Sequence, residues 1–317
     1  MERTAIAFAP GHISGYFMRI DGATPRTTGS CGAGIVIDHG VTATVMPADH
    51  TSIVTIEHLP SGNILTQYTS SLIEDILETI GVSASVKTVA ALPIGAGFGM
   101  SAAAILATLT ATNAVYDLGF TEYDIVEQAH TFEINHHTGL GDVAASAGGG
   151  LVIRTSPGVE QAHTFEITHH TGLGDVAASA GGGLVIRTSP GVAGVAVRMF
   201  YDIDIYTITF GPIFTPKIIN STEQMQNVSA AFPHHIPKNI YEFIENSREF
   251  AEESGLIPKV IRSILTACDD AGIPASMTML GCGVFAAGDD AREILTQFGS
   301  AVSLKICQHG PKLLEMV

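Results

Sequence analysis

An α+β fold in two domains is what this sequence predicts, and three observations carry the prediction. The chain has 317 residues, more than the ~250 at which a single hydrophobic core stops growing efficiently. Hydrophobic residues make up 46% and charged residues 15%, a balance that excludes disorder and implies a packed globule. Strand and helix patterns alternate through the first part and restart after residue 203. This places an N-terminal domain at 1–203 and a smaller C-terminal α+β domain at 204–317.

Residues 4–8 form the first expected strand, closed by Pro10 and Gly11, with none of the apolar core of a signal peptide. Residues 33–37, 41–46 and 52–58 are β-rich runs separated by turn signals. In residues 70–80, Leu72, Ile73, Ile76, Leu77 and Ile80 recur at helical spacing, and Gly81 follows as a stop. A strand at 86–91 leads through a glycine-rich turn into an alanine-rich helix at 101–118. Thr121 caps the next helix, with acidic residues in its first turn, and a strand follows at 151–155. The second domain reads as a strand at 205–210 and helices at 239–253 and 259–271. Strands at 276–280 and 283–287, a helix at 290–298 and a last strand at 301–307 complete it.

The formal charge of −16, from 31 acidic and 15 basic residues, argues against nucleic acid or an anionic membrane as partner. A phosphorylated ligand is still accommodated, provided backbone N–H groups, a helix N-terminus or a metal ion hold it. Four widely spaced cysteines, Cys31, Cys268, Cys282 and Cys307, suggest neither a zinc knuckle nor a disulfide framework and fit a reducing cytoplasm. Residues 88–116 carry no charge and exceed the ~20 residues that span a bilayer. Pro93, Gly95, Gly97 and Gly99 interrupt that stretch, and its alanine- and threonine-rich second half suits a helix buried in protein.

Residues 127–159 recur at 160–192 with one difference, Asn135 against Thr168. Two copies are fewer than a solenoid needs, and their near-identity indicates a recent or engineered tandem duplication inside a globular domain. The first copy is expected to fill the native position, because only it follows the Thr121 cap. The second copy invites a dimer-swapped arrangement, so a homodimer is among the expected partners.

The strongest chemical signal is Pro93, Gly95, Gly97, Gly99, Ser101 and Ala102, set between a strand and a helix. Three alternate glycines let the backbone approach a polyanion, Ser101 offers a hydroxyl, and the helix N-terminus presents oriented N–H groups. On its own this pattern also fits a tight strand-to-helix turn that requires glycine. It lacks the G-K-[ST] of a Walker loop, and Met100 replaces the last glycine of a dinucleotide fingerprint.

The same segment resembles the P-x-G-x-G-L-x-S-S-A signature of the galactokinase, homoserine kinase, mevalonate kinase and phosphomevalonate kinase (GHMP) superfamily, with Met100 in place of the first serine. Residues 9–15, containing Pro10, Gly11, His12 and Ser14, resemble that superfamily's first motif, and residues 277–286 resemble its third. Residues 10–17, 28–34, 138–142 and 279–281 narrow the resemblance to the archaeal pantoate kinases. The resemblance implies a two-domain fold, ribosomal-protein-S5-domain-2-like at the N-terminus and ferredoxin-like at the C-terminus. It implies ATP- and Mg2+-dependent phosphorylation of the pantoate hydroxyl to 4-phosphopantoate, for coenzyme A synthesis in the cytoplasm.

By the same resemblance Asp142, or its duplicate Asp175, would take or orient the acceptor proton, with His12 as a second catalytic residue. Ser101 and Glu133, or the duplicate Glu166, would hold magnesium, and Ser14 would touch the acceptor. Taken alone, Asp142 also reads as the N-cap of the helix that follows it. Pantoate carries a carboxylate, for which a bidentate arginine is the natural anchor, and Arg26 and Arg19 near the first motif are the candidates. His130, His136 and His137, with copies His163, His169 and His170, lack the spacing and partners of a metal site and are expected at a surface or against substrate. Another hydroxyl kinase of the superfamily, or a non-catalytic nucleotide binder spoiled by the duplication, is the alternative.

Overall fold

The computed structural model describes residues 3–59, 61–154, 196–199, 201–213 and 215–317. The second copy, 160–192, with Glu166, Asp175, His163, His169 and His170, lies outside the described residues, and so does the question of which copy is native.

The first sheet begins with β1 (Ala5–Ile20) and β2 (Gly29–Pro47), long antiparallel partners. Strand β1 runs on past Pro10 and Gly11, where the sequence suggests an end, because the pairing shifts register there and again between Ser14 and Tyr16. A bulge tolerates a proline that has no N–H to give. Gly40 lies opposite, and a Cβ on it would fall 2.0 Å from the Ala9 carbonyl oxygen. The runs expected at 33–37 and 41–46 accordingly merge into β2.

Strand β3 (Ser52–His58) pairs in parallel with β5 (Ala84–Ala90) and antiparallel with β4 (Ile64–Gln67). Helix α1 (Ser71–Ile80) joins them, stopped by Gly81 in the left-handed conformation as its sequence predicts, and Ser70, expected inside it, caps it with its side chain. Helix α2 (Met100–Tyr116) passes against β1 and β2, buried along most of its length. Among the described residues no helix is long and apolar enough to cross a membrane. Helix α3 (Glu122–Asn135) starts with a capping box between Thr121 and Asp124. Helix α4 (Asp142–Gly148) and β6 (Leu151–Arg154) follow, and β6 pairs with both β2 and β7 (Ala196–Met199).

A four-stranded sheet in the order β11 (Val302–Lys305), β8 (Asp204–Pro212), β10 (Gly281–Ala287), β9 (Ala275–Met277) forms the second layer. The strand expected to reach residue 280 stops at Met277, because Leu280 takes φ +60° and turns the chain into β10. Helices α5 (Thr215–Ile219) and α6 (Thr222–Ala230), the latter lying against β1, precede α7 (Ile240–Glu253), α8 (Lys259–Asp270) and α9 (Ala291–Thr296), which pack on this sheet. The last strand, β12 (Lys312–Met316), returns to pair with β1, so the segment expected as a second domain lends its end to the first sheet.

One hydrophobic cluster runs through both sheets. Strand β1 is its pivot: Tyr16 meets Phe232 edge-on at 5.7 Å and Phe17 meets Phe250 at 5.9 Å. Those aromatic contacts fix β1 against α7 and the segment that follows α6, and the residues just before them in β1 face the chemistry described next.

Candidate active site

The glycine-rich turn between β5 and α2 is shaped by three left-handed residues, Gly95, Gly97 and Gly99, with φ of 76°, 84° and 63°. Four contacts from separate elements hold it. Ile94 N–H donates to Glu57 Oε2 at 2.9 Å, and the Ile213 N–H donates to the Gly95 carbonyl at 3.1 Å. The Thr278 hydroxyl donates to the Ala96 carbonyl at 3.3 Å, and the His12 N–H to the Phe98 carbonyl at 2.9 Å. A Cβ on Gly97 would lie 2.8 Å from the Met279 carbonyl oxygen, so this glycine permits the turn to dock on residues 278–281. Its necessity is one of packing as well as of ligand approach.

Helix α2 opens at Gly99 with no side-chain cap and no acidic residue in its first turn. Its first intrahelical bond is that of Ala103 N–H to Gly99, which leaves the Met100, Ser101 and Ala102 N–H groups ahead of it. A 17-residue helix ending this way presents donors and positive potential to an anion.

Beside this terminus, β1 places His12 and Ser14 against Asp142, the first residue of α4. Asp142 Oδ1 accepts from the Ser14 hydroxyl at 3.3 Å and lies 3.3 Å from His12 Nδ1. The N-cap position belongs to Gly141, so Asp142 is not the cap that its isolated sequence context suggests; its carboxylate turns to the cluster instead. His12 is 5% exposed, and a Cβ on Gly34 would stand 2.0 Å from its Nε2. Gly34 of β2, which pairs with Ser14, thus makes room for the ring.

Two small cavities meet at these three side chains. One, of about 40 Å3, is lined by His12, Ser14 and Asp142 together with the glycines, Ser101, Thr138 and Met279. The other, of about 20 Å3, lies on the far side and is bounded by Phe17, Ser30, Ala33, Ala145 and Val152. Both are far below the ~300 Å3 of an ordinary ligand pocket, so their walls must part to admit one. No lysine or arginine lines either among the described residues.

Glu133, 1% exposed, stands behind the junction. Its Oε1 accepts from the Val143 N–H at 3.2 Å, while Oε2 lies 3.4 Å from His130 Nδ1; Oε2 and that nitrogen have no hydrogen-bond partner. A Cβ on Gly139 would sit 2.7 Å from Glu133 Oε1 and 3.0 Å from Asp142 Oδ2, so the glycine leaves both carboxylates room. Among the described residues no group of three or more His, Cys, Asp and Glu side chains could enclose a metal ion.

The other expected residues scatter. Pro93 and Ala102 are buried and shape the turn and helix without lining a cavity. Met100 is buried yet lines the glycine-turn cavity, its side chain 2.3 Å from the point a Cβ on Gly11 would occupy. Arg26 pairs with Glu127 of α3, outside both linings. Arg19 donates to the Ile219 carbonyl at 2.8 Å and pairs with Asp21, on the wall of a larger cavity of about 560 Å3 beside α6 that holds none of the clustered side chains. His130 is fully buried, its Nε2 2.8 Å from the Thr28 carbonyl, and His136 contacts Asp75 at 2.8 Å.

Sequence reasoning missed Glu57, Ser30, Gly34 and Val152. The glycine run at 29–34 and the inward position of Glu57 in an alternating strand were the available signals.

Residues 67–150 match the family model of the GHMP kinases N terminal domain. A pantoate kinase of Methanospirillum hungatei is 40% identical, over 99% of this chain and 98% of its own. The solved "Phosphotransferase related to CoA biosynthesis pathway" superposes with a TM-score of 0.70 at 23% identity, covering 98% of each chain. A structure titled "MDDEF in complex with MVAPP, AMPPCP and Magnesium" has a TM-score of 0.64 at 14% identity, over 99% of this chain and 100% of its own.

Proposed function

The chain belongs to the GHMP kinases, in their pantoate kinase branch, and from that premise we propose that phosphoryl transfer takes place where the two cavities meet, at His12, Ser14 and Asp142. The fold is the two-domain α+β fold of that family. The enzyme is an ATP-dependent kinase that phosphorylates pantoate in coenzyme A biosynthesis. The division between residues 203 and 204 remains our proposal, with β12 as the strand that crosses it.

The observation that carries the proposal is the sharing of Asp142 by both cavities. ATP phosphates lie against Gly95, Gly97, Gly99 and Ser101, where the α2 N–H groups replace the missing lysine and arginine. Pantoate enters from the other side, its paired methyl groups against Phe17, Ala33, Ala145 and Val152 and its polar groups toward Ser30 and Ser14. The bond from the γ-phosphorus to the β-bridging oxygen breaks as the primary hydroxyl oxygen bonds to phosphorus. Asp142 orients that hydroxyl and accepts its proton, while Ser14 and His12 fix the carboxylate.

Ser101, on the wall of the glycine-turn cavity, and Glu133, whose Oε2 is buried without a hydrogen-bond partner, are the residues that would hold magnesium. Such a donor pair suits an ion that completes its shell with phosphates and water. When bound it would neutralise phosphate charge. We read the enzyme as cytoplasmic, supported by a cysteine pattern that suggests no disulfide framework. A homodimer remains a proposal that light scattering tests. Arg26 is kept as the proposed carboxylate anchor from the sequence; to reach the acceptor cavity it would have to leave its Glu127 partner.

A coupled assay of ADP release tests the function: turnover with pantoate is expected to exceed that with homoserine, shikimate or mevalonate. Equal or greater turnover with another acceptor contradicts the substrate, and ATP binding without turnover favours a non-catalytic binder.

A further inference from the structure

We propose that Glu57 is a positioning residue for nucleotide binding, acting through the glycine turn without touching ligand; this rests on the assignment of that turn to ATP. Glu57 lies outside residues 67–150, the segment matched by the family model. In β3 the burial alternates, so that Ile53, Thr55 and Glu57 face inward. A carboxylate at such a position, 6% exposed, is costly unless its oxygens are engaged. Both are: Oε2 accepts from the Ile94 N–H at 2.9 Å and Oε1 from the Gln67 amide at 3.4 Å.

The location explains the expense. Ile94 is the last residue before three left-handed glycines at alternate positions, Gly95, Gly97 and Gly99, each free of the steric limits that would otherwise fix a backbone. Downstream the turn is held through its carbonyls by Ile213, Thr278 and His12. Upstream, β5 ends at Ala90, and Glu57 provides the side-chain acceptor for an N–H at the entry to the turn. Without that acceptor the first N–H is unpaired and the glycines regain freedom that ATP must then remove on binding. The acceptor cavity shares no wall with Glu57, so its affinity should not follow.

The experiment compares Glu57→Ala and Glu57→Gln with the unsubstituted chain, by calorimetric ATP titration and by steady-state kinetics in both substrates. Glu57→Ala is expected to raise the ATP dissociation constant and KM about tenfold, the scale of one hydrogen bond to a charged acceptor. The pantoate KM and kcat should stay within about twofold. Glu57→Gln keeps a carbonyl oxygen for Ile94, while the Gln67 amide can turn to match it, and should restore ATP affinity. If the unsubstituted chain binds ATP and Glu57→Ala leaves its affinity unchanged, or if kcat and both KM values shift together, the proposal is overturned and the nucleotide assignment stands. If the unsubstituted chain does not bind ATP, the nucleotide assignment fails and the proposal with it. Should Glu57→Ala not fold, Glu57→Asp, which withdraws the carboxylate by one methylene, takes its place with the same outcomes.

Discussion

The two cavities that share Asp142 are built by opposite means. The nucleotide side is mostly backbone: three left-handed glycines and the opening turn of α2, gathered within residues 95–101. The acceptor side is mostly side chains drawn from β1, β2, α4 and β6, from Phe17 to Val152. A backbone-built site leaves a compact mark on the sequence, because its glycines fall at alternate positions within one short turn before a helix. A side-chain site assembled across more than a hundred residues leaves scattered marks: its residues in 10–17, 28–34 and 138–142 fall in segments that only resemblance picks out, and Ala145 and Val152 look like any core residues.

The contrast predicts different responses to substitution. Gly97→Val should have the largest effect, lowering ATP affinity about 100-fold, because a branched side chain at φ +84° must also displace the Met279 carbonyl. Calorimetry reads it, and retained affinity would break the claim that the backbone forms the site. Ser101→Ala, which removes one hydroxyl and leaves the N–H groups, should weaken ATP binding only about tenfold and make turnover require more magnesium. A magnesium dependence that does not move would take Ser101 out of the metal's shell. Arg26→Ala should raise the pantoate KM about fivefold with little loss of kcat, since a carboxylate anchor serves ground and transition states alike. An unchanged KM would leave Arg26 with its Glu127 partner as its whole role.

What the sequence disclosed follows the same division. Helices α1 and α3 were legible, the first to its Gly81 stop and the second to its Thr121 cap, because these residues act on their own neighbours; that Ser70 caps α1, outside the helix, needed the structure. So was the turn from Gly95 to Ser101. Strand β12 was not, since Lys312–Met316 owes its place to pairing with residues some three hundred positions earlier, and all five residues are exposed. The continuation of β1 through Pro10 depends on Gly40 opposite, which local rules cannot see. His12 and Asp142 were singled out by resemblance, whereas the glycine that seats the His12 ring, Gly34, needed the structure.

The most direct test of the central claim is a paired measurement of kcat in Asp142→Asn and Asp175→Asn, with ATP and pantoate binding measured alongside. The account predicts that Asp142→Asn binds both ligands within about twofold of the unsubstituted chain but loses turnover by about 10²–10⁴-fold, the scale of a lost general base. Asp175→Asn, in the copy outside the described residues, should keep full turnover. Loss of turnover in Asp175→Asn alone would contradict the account and assign the reacting centre to the second copy.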